Sequence, residues 1–475
     1  MRARILDEAN RKWLTLAAVS FGLFMIMLDN TVVNVALPSI QRDLQIGLSE
    51  LEWIVTGYAL TFAALMLIGG KLADLFGRRL VFVAGLAIFT LASLACGLAG
   101  SGDVLIGARI AQGVGAALMN PATLSIIAAT FPSHQRGTAI GIWAGVSALA
   151  LAIGPLVGGL ITEHIDWSWI FFVNVPVGIL AIVASFLFIR ESRDESEEQR
   201  LDLPGLLTSS IGLFALTYGL IEANAYGWTS GRIVGSFAVA IVALVAFVLL
   251  ERHQRIPMLD LTLFRSGTFS GANLVILLVA LAMFGVFFFV SLYMQNILGY
   301  SAIQAGAAFL PMTILIILIA PIAGRASDRI GSRSLLVAGM SLIALHLLYF
   351  SQLTLDASFW NLLPGFLLGG VGMALTMTPS AAAAVRSVPV DKSGVGSAVL
   401  NASRQVGGSI GIALIGAIMA QQIGDERTPQ AFMNGFSTAL EVAAGIALVG
   451  AVVAGVLIRP HAIPPRAGQP VPEVA

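Results

Sequence analysis

Fourteen long apolar runs, separated by short polar connectors, follow one another along this chain. They cover about 13–37, 51–71, 80–100, 104–129, 138–161, 169–189, 204–223, 232–250, 268–295, 302–323, 335–354, 359–384, 395–420 and 435–458. Each run is near or above the roughly 20 residues that an α-helix needs to cross a bilayer. Helices are the only option for such runs, because lipid offers no partner to the open edge of a strand. The pattern predicts an all-α, multi-pass membrane protein with fourteen spans. The first run is too long for a secretory signal and many similar runs follow it.

Composition agrees. The chain is 57% hydrophobic and only 11% charged, far below the charge content of a soluble domain. Its fifty glycines suit close packing of membrane helices. Net charge is zero, so the placement of charge carries the information. With an even number of spans both termini share one side. That side receives 21 of the 26 lysines and arginines, and the other receives only Arg42, Arg232 and Arg427. Arg109 and Arg404 fall inside runs. The asymmetry places both termini in the cytoplasm.

The chain also repeats itself. "GKLADLFGRR" at 70–79 matches "GRASDRIGSR" at 324–333, with Gly70, Asp74, Gly77 and Arg79 facing Gly324, Asp328, Gly331 and Arg333. "GVGAAL" at 113–118 matches "GVGMAL" at 370–375. Spans one to six therefore recur as nine to fourteen, and spans seven and eight are an insert. Both copies start on the same side, so the halves should relate by a pseudo-twofold axis along the membrane normal, with a binding site between them near midplane. The expected organisation is a cytoplasmic N-terminus (1–12), an N-terminal six-helix bundle (13–190) and a charged cytoplasmic linker (191–203). The inserted helices (204–250), a second linker (251–267), a C-terminal six-helix bundle (268–458) and a Pro-rich cytoplasmic tail (459–475) complete it.

Charge inside a span is costly and marks function. Asp29 sits near the middle of the first run, with Asn30 and Asn34 beside it. Arg109 lies in span four with Gln112 one turn on, and Arg404 lies in span thirteen, where Glu441 of span fourteen is a possible partner. Phe366 occupies the repeat position of Arg109, so that charge belongs to one half only. Tyr58, Asn120, Tyr293, Asn401 and Gln405 are further candidates for a polar cavity wall. Phe284, Phe287, Phe288 and Phe289 are apolar candidates, although core or lipid packing explains them as well. No catalytic set or metal cluster is expected. The five histidines are scattered, Cys96 is single, and no phosphate-binding loop occurs.

Several segments together resemble the major facilitator superfamily, and more narrowly its fourteen-spanning drug:proton antiporters. "LDNTVVNVALP" at 28–38 resembles the first-span motif of that family. The hairpin of Gly70, Asp74, Gly77, Arg78 and Arg79 resembles the superfamily's signature loop, with Leu75 where a basic residue is usual. "LIGARIAQGVGAALMNP" around Arg109 and "GVSALALAIGPLVGG" around Gly154, Pro155, Gly158 and Gly159 resemble the proton-transfer and antiporter motifs. "DWSWIFFVNVP" at 166–176 is similar to a family segment, with Ser168 in place of an arginine, and Trp167 and Trp169 read as interface anchors. "NASRQVGGS" at 401–409 is similar too.

The resemblance implies a major-facilitator fold of two six-helix bundles plus two inserted helices, working by alternating access. The hairpin, with Asp328 and Arg333 in its second copy, is implied to be a latch on the outward-facing state. The implied activity is multidrug efflux of lipophilic or cationic small molecules from the plasma membrane in exchange for protons, without a cofactor or nucleic acid, by a monomer in lipid. A carboxylate in low dielectric prefers its neutral form and a neighbouring arginine opposes that. Asp29 is thus the expected proton carrier and Arg109 its tuner. Open alternatives are a dedicated exporter of one natural product, lipid or siderophore, a proton symporter, and a transport-dead membrane sensor.

Overall fold

The computed structural model describes residues 8–193, 202–254, 257, 259–388, 393–424 and 428–459. The described residues hold sixteen α-helices and no strand. They are α1 (Glu8–Leu44), α2 (Leu48–Phe76), α3 (Arg78–Gly97), α4 (Gly102–Thr130), α5 (Ser133–His164), α6 (Trp169–Phe172), α7 (Asn174–Phe188), α8 (Leu203–Tyr226) and α9 (Gly231–His253). There follow α10 (Gly267–Leu292), α11 (Ala302–Ala308), α12 (Leu310–Ile330), α13 (Ser332–Phe350), α14 (Phe359–Arg386), α15 (Ser393–Ile423) and α16 (Pro429–Leu457). By length and composition, twelve helices are able to cross a membrane, or thirteen with the bent α2 counted as one span. The 32-residue α5 is also long enough to cross. The chain is a multi-pass membrane protein.

The sequence expectations and the helices differ in three instructive places. The run at 169–189 is broken at Val173, which leaves the short α6 before α7. The run at 302–323 is broken at Phe309, where Pro311 in the first turn of α12 has no N–H to continue the helix. Helix α10 ends in a π-helical turn, Tyr293–Ile297. Trp167, expected as an interface anchor, is buried and donates from Nε1 to Asp43 Oδ2 at 2.8 Å. Trp169 is half exposed, as an anchor should be.

The repeat is real in three dimensions. Helix α1 packs on α5 as α10 packs on α15, α2 on α4 as α12 on α14, and α3 on α4 as α13 on α14. The two matched hairpins turn at Gly77 and Gly331, with φ of +116° and +84°. An L side chain is strained at such angles, which accounts for glycine in both copies. The bundles meet along two related seams, α2 against α15 and α5 against α11 and α12. The inserted α8 lies over the first seam and touches both α2 and α15.

Two hydrogen bonds that cross directly between bundles lie at one end of the molecule. Gln295 Nε2 donates to Val35 O at 2.9 Å, and Ile303 N donates to Glu163 Oε2 at 2.9 Å. Close approach is built in there. A Cβ on Gly158 would stand 2.7 Å from Val32 O of α1, and one on Gly159 would strike Ala302 O of the other bundle. Glu222 and Asn224 of α8 reinforce this end. Glu222 accepts from Ser49 Oγ at 3.0 Å and Trp53 Nε1 at 3.1 Å, and Asn224 Nδ2 donates to Ala417 O at 2.7 Å.

Candidate functional site

Asp29 and Arg109 stand 80 positions apart in the chain and meet in the core of the N-terminal bundle. Arg109 Nη1 donates to Asp29 Oδ2 at 2.5 Å, and both side chains are almost wholly buried. Gln112, three residues on and therefore on the same face of α4, accepts from Arg109 Nη1 at 2.7 Å. It donates from Nε2 to Asp29 Oδ1 at 3.0 Å. Arg109 Nε donates to Ile54 O at 3.0 Å. The guanidinium lies over the Tyr58 ring, 4.2 Å from its centroid, and 5.8 Å from that of Phe171. A buried ion pair repays its desolvation only when the remaining donors and acceptors are satisfied, and here the pair has the partners it needs.

Two residues that the sequence reading passed over extend the network. Ser93 Oγ accepts from Gln112 Nε2 at 3.4 Å and from Asn174 Nδ2 at 3.1 Å, and donates to Phe171 O at 2.9 Å. Asn174 is the first residue of α7, so the break in span six delivers its amide to the centre of the bundle. A polar residue just past a helix break, in a segment otherwise apolar, is the signal that would have found it.

Next to the network lies a cavity of about 190 Å³ between the bundles. Of the expected wall residues Asn34, Tyr58 and Arg404 line it, together with Arg109, Asn30, Thr31, Thr313 and Pro155. The rest of the wall is apolar and includes Phe284, Phe287, Phe309, Met373 and Met377. Asp29 is not in the wall. The cavity sees Arg109 and Tyr58, and the carboxylate lies beyond them.

Other candidates are elsewhere. Gln112 belongs to the network. Asn120 is buried in α4 away from the cavity wall. Tyr293 is turned into the core, with its ring stacked on Phe436 at 5.1 Å and its hydroxyl donating to Thr354 O at 2.5 Å. Phe288 and Phe289 are likewise core. Asn401 and Gln405 are not wall residues, because α15 turns only Arg404 and Ile412 toward the cavity. Glu441 is exposed and makes no ion pair with Arg404. Of the four antiporter-motif residues only Pro155 reaches the cavity, while Gly154, Gly158 and Gly159 serve helix contact.

The hairpin at 70–79 is engaged within its own bundle. Arg78 Nη2 pairs with Asp74 Oδ1 at 2.9 Å, one turn back. The N-terminus of α3 is capped by Glu191, which accepts from the N–H groups of Arg79 and Leu80 at 3.0 and 3.1 Å. Glu191 rather than Asp74 thus caps this helix. In the second copy Arg333 is exposed. Arg386 takes over there, donating to Ser327 Oγ at 2.8 Å and Ser332 Oγ at 3.0 Å. The Asp328 side chain lies outside the described residues. Among the described residues no cluster able to hold a metal ion occurs.

Comparison with known proteins adds independent findings. The Major Facilitator Superfamily profile matches residues 19–412 and 272–474. The chain is 38% identical over 415 residues to the tetracenomycin C resistance and export protein of Streptomyces glaucescens, covering 87% of this chain and 77% of that one. It is 37% identical over 462 residues to the puromycin resistance protein pur8 of Streptomyces alboniger, covering 94% and 92%. Among solved structures it resembles a bacterial homolog of the human lysosomal transporter Spinster, inward-facing and unoccupied, with a TM-score of 0.67 and 16% identity over 94% of this chain and 97% of that one. It also resembles the POT family transporter PepTSo, with a TM-score of 0.69 and 15% identity over 94% and 97%.

Proposed function

Since this chain belongs to the Major Facilitator Superfamily, we propose that it is a proton-coupled antiporter that exports lipophilic small molecules by alternating access. The observation that carries the reading is the Asp29–Arg109–Gln112 network against the wall of an apolar cavity between two pseudo-symmetric bundles. Its relatives' names, as resistance and export proteins, support the direction of transport.

Lysine and arginine placement puts the basic-rich end, with both termini, in the cytoplasm. The closed end that carries Glu163, Gln295 and Glu222 would then face outward, which supports reading this arrangement as inward-facing. In it Asp29 is bonded to Arg109 and Gln112. A proton taken up from outside neutralises Asp29 and frees the guanidinium, which turns its field toward the cavity and biases the next conformational step. Moving one charge through the membrane potential is worth about 2.3 kcal/mol per 100 mV, enough to drive a transition between two balanced states. The hairpin of Asp74, Arg78 and Arg79 lies on the cytoplasmic side and would latch the outward-facing state.

Asp29→Asn in everted plasma-membrane vesicles tests the proton role. The variant inserts normally, as protease protection would report, and loses substrate-dependent collapse of the pH gradient. Continued uphill export by purified Asp29→Asn protein under a pH gradient would refute it. Two of the relatives carry the name of a single antibiotic, which favours a dedicated natural-product exporter as second reading. A panel of chemically unrelated lipophilic compounds separates the two.

A further inference from the structure

We propose that Arg404 is the docking point for an anionic group on the transported molecule, so that the cavity selects lipophilic compounds bearing one acidic function. This deepens the export reading above and rests on it.

Only two charged side chains reach the cavity wall among the described residues, and both are arginines. They are not equivalent. Arg109 is bonded to Asp29, Gln112 and Ile54 O. Arg404 forms no ion pair among the described residues, and its Nε is buried without a hydrogen-bond partner. No carboxylate lies in the wall. Glu441 of the neighbouring α16 points outward. The buried Glu52 of α2 packs at Gly416, twelve residues further along α15, which is roughly 18 Å up the helix axis.

A guanidinium cannot shed its proton, and leaving it unpaired in an apolar chamber is costly. The protein retains that cost in a wall that includes Phe284, Phe287, Phe309, Met373 and Met377. Aromatic and thioether surfaces accept flat lipophilic bodies of many shapes. A carboxylate or acidic enol on such a body would satisfy the planar donor fork of Arg404. A cationic ligand would instead add like charge beside Arg404, with no wall carboxylate to offset it.

The test is equilibrium binding to the purified full chain in nanodiscs, with empty nanodiscs subtracted. The probes share one ring system: 2-naphthoate, 2-naphthylmethanol and 2-naphthylmethylammonium. The expected order is anion first and cation last, separated by at least about tenfold, as a charge-assisted hydrogen bond supplies. Arg404→Gln removes the preference for the anion by weakening naphthoate about tenfold, with naphthylmethanol unchanged. Arg404→Lys keeps part of it. Equal or tighter binding of the ammonium probe to the unaltered protein would overturn the proposal without any variant. So would unchanged naphthoate affinity in an Arg404→Gln protein that still binds naphthylmethanol. Binding requires no gradient, so loss of proton coupling in the Asp29 test and loss of anion preference here are separate results.

Discussion

The same helix position holds a guanidinium in one bundle and a phenyl ring in the other. Arg109 of α4 corresponds to Phe366 of α14. Around Arg109 the N-terminal bundle gathers Asp29, Gln112, Ser93 and Asn174. Around Phe366 the C-terminal bundle gathers Phe309 and Phe350, with centroids 5.2 and 5.3 Å away, and the His346 ring lies tilted 4.5 Å from that of Phe350. One backbone architecture therefore supports two interiors. The apolar one is a packing device. The polar one costs desolvation energy, which the hydrogen bonds of the network offset. Arg404 complicates the division, since the C-terminal bundle contributes a charge to the cavity without a partner of its own.

The largest effect should come from breaking the pair in the N-terminal bundle. Arg109→Met leaves Asp29 buried and unpaired and costs about 3–5 kcal/mol, read as a lower unfolding temperature in detergent. Adding Asp29→Leu should restore most of that stability while transport stays absent. A double variant that remains unstable would show that the pair is structural and the contrast with Phe366 is empty. Next, Phe366→Ala should cost about 3 kcal/mol of stability through the cavity it leaves and still show substrate-driven proton movement. Loss of coupling in a folded Phe366→Ala protein would show that both interiors take part.

Smaller effects concern the closed end. Gly159→Leu forces a side chain against Ala302 O and should raise the population open at that end, read as faster labelling of a cysteine placed at Asn34 from the side that end faces. Glu222→Ala removes the acceptor of Ser49 and Trp53 and should move the same readout in the same direction, by about 1 kcal/mol.

The smallest effect is Glu163, at the exposed end of α5. The Ser301 hydroxyl, then the Ile303 N–H, hold its carboxyl below the ordinary 4.5. Its contribution is complete above pH 4.5 and fades as pH falls through the lowered value. Acid should therefore loosen the closed end in the unaltered protein, whereas Glu163→Gln should show a flat profile over that range.

Much of the architecture was legible in the one-dimensional pattern, because a membrane imposes a simple rule on apolar length and basic connectors. The repeat was legible too, since Gly77 and Gly331 serve the same left-handed turn. The site was legible in part. Asp29 and Arg109 announced themselves by their cost, but Ser93 and Asn174 did not, because serine and asparagine are cheap enough in a span to pass as background. Tyr293 and Asn120 looked like wall residues and are not. A polar residue in a span must face something, and the sequence does not say whether that is a cavity, a backbone carbonyl or a neighbouring side chain.

The sequence by itself determined the long apolar helices, the repeat and the three charges inside them, Asp29, Arg109 and Arg404. These are local matters of chain length, polarity and turn geometry. Only the tertiary structure decided that Asp29 sits behind Arg109 rather than in the cavity, that α8 bridges the seam, and that Arg404 forms no ion pair among the described residues. Each depends on the rotation of one helix about its axis against another, and that rotation is set by packing across residues far apart in the chain.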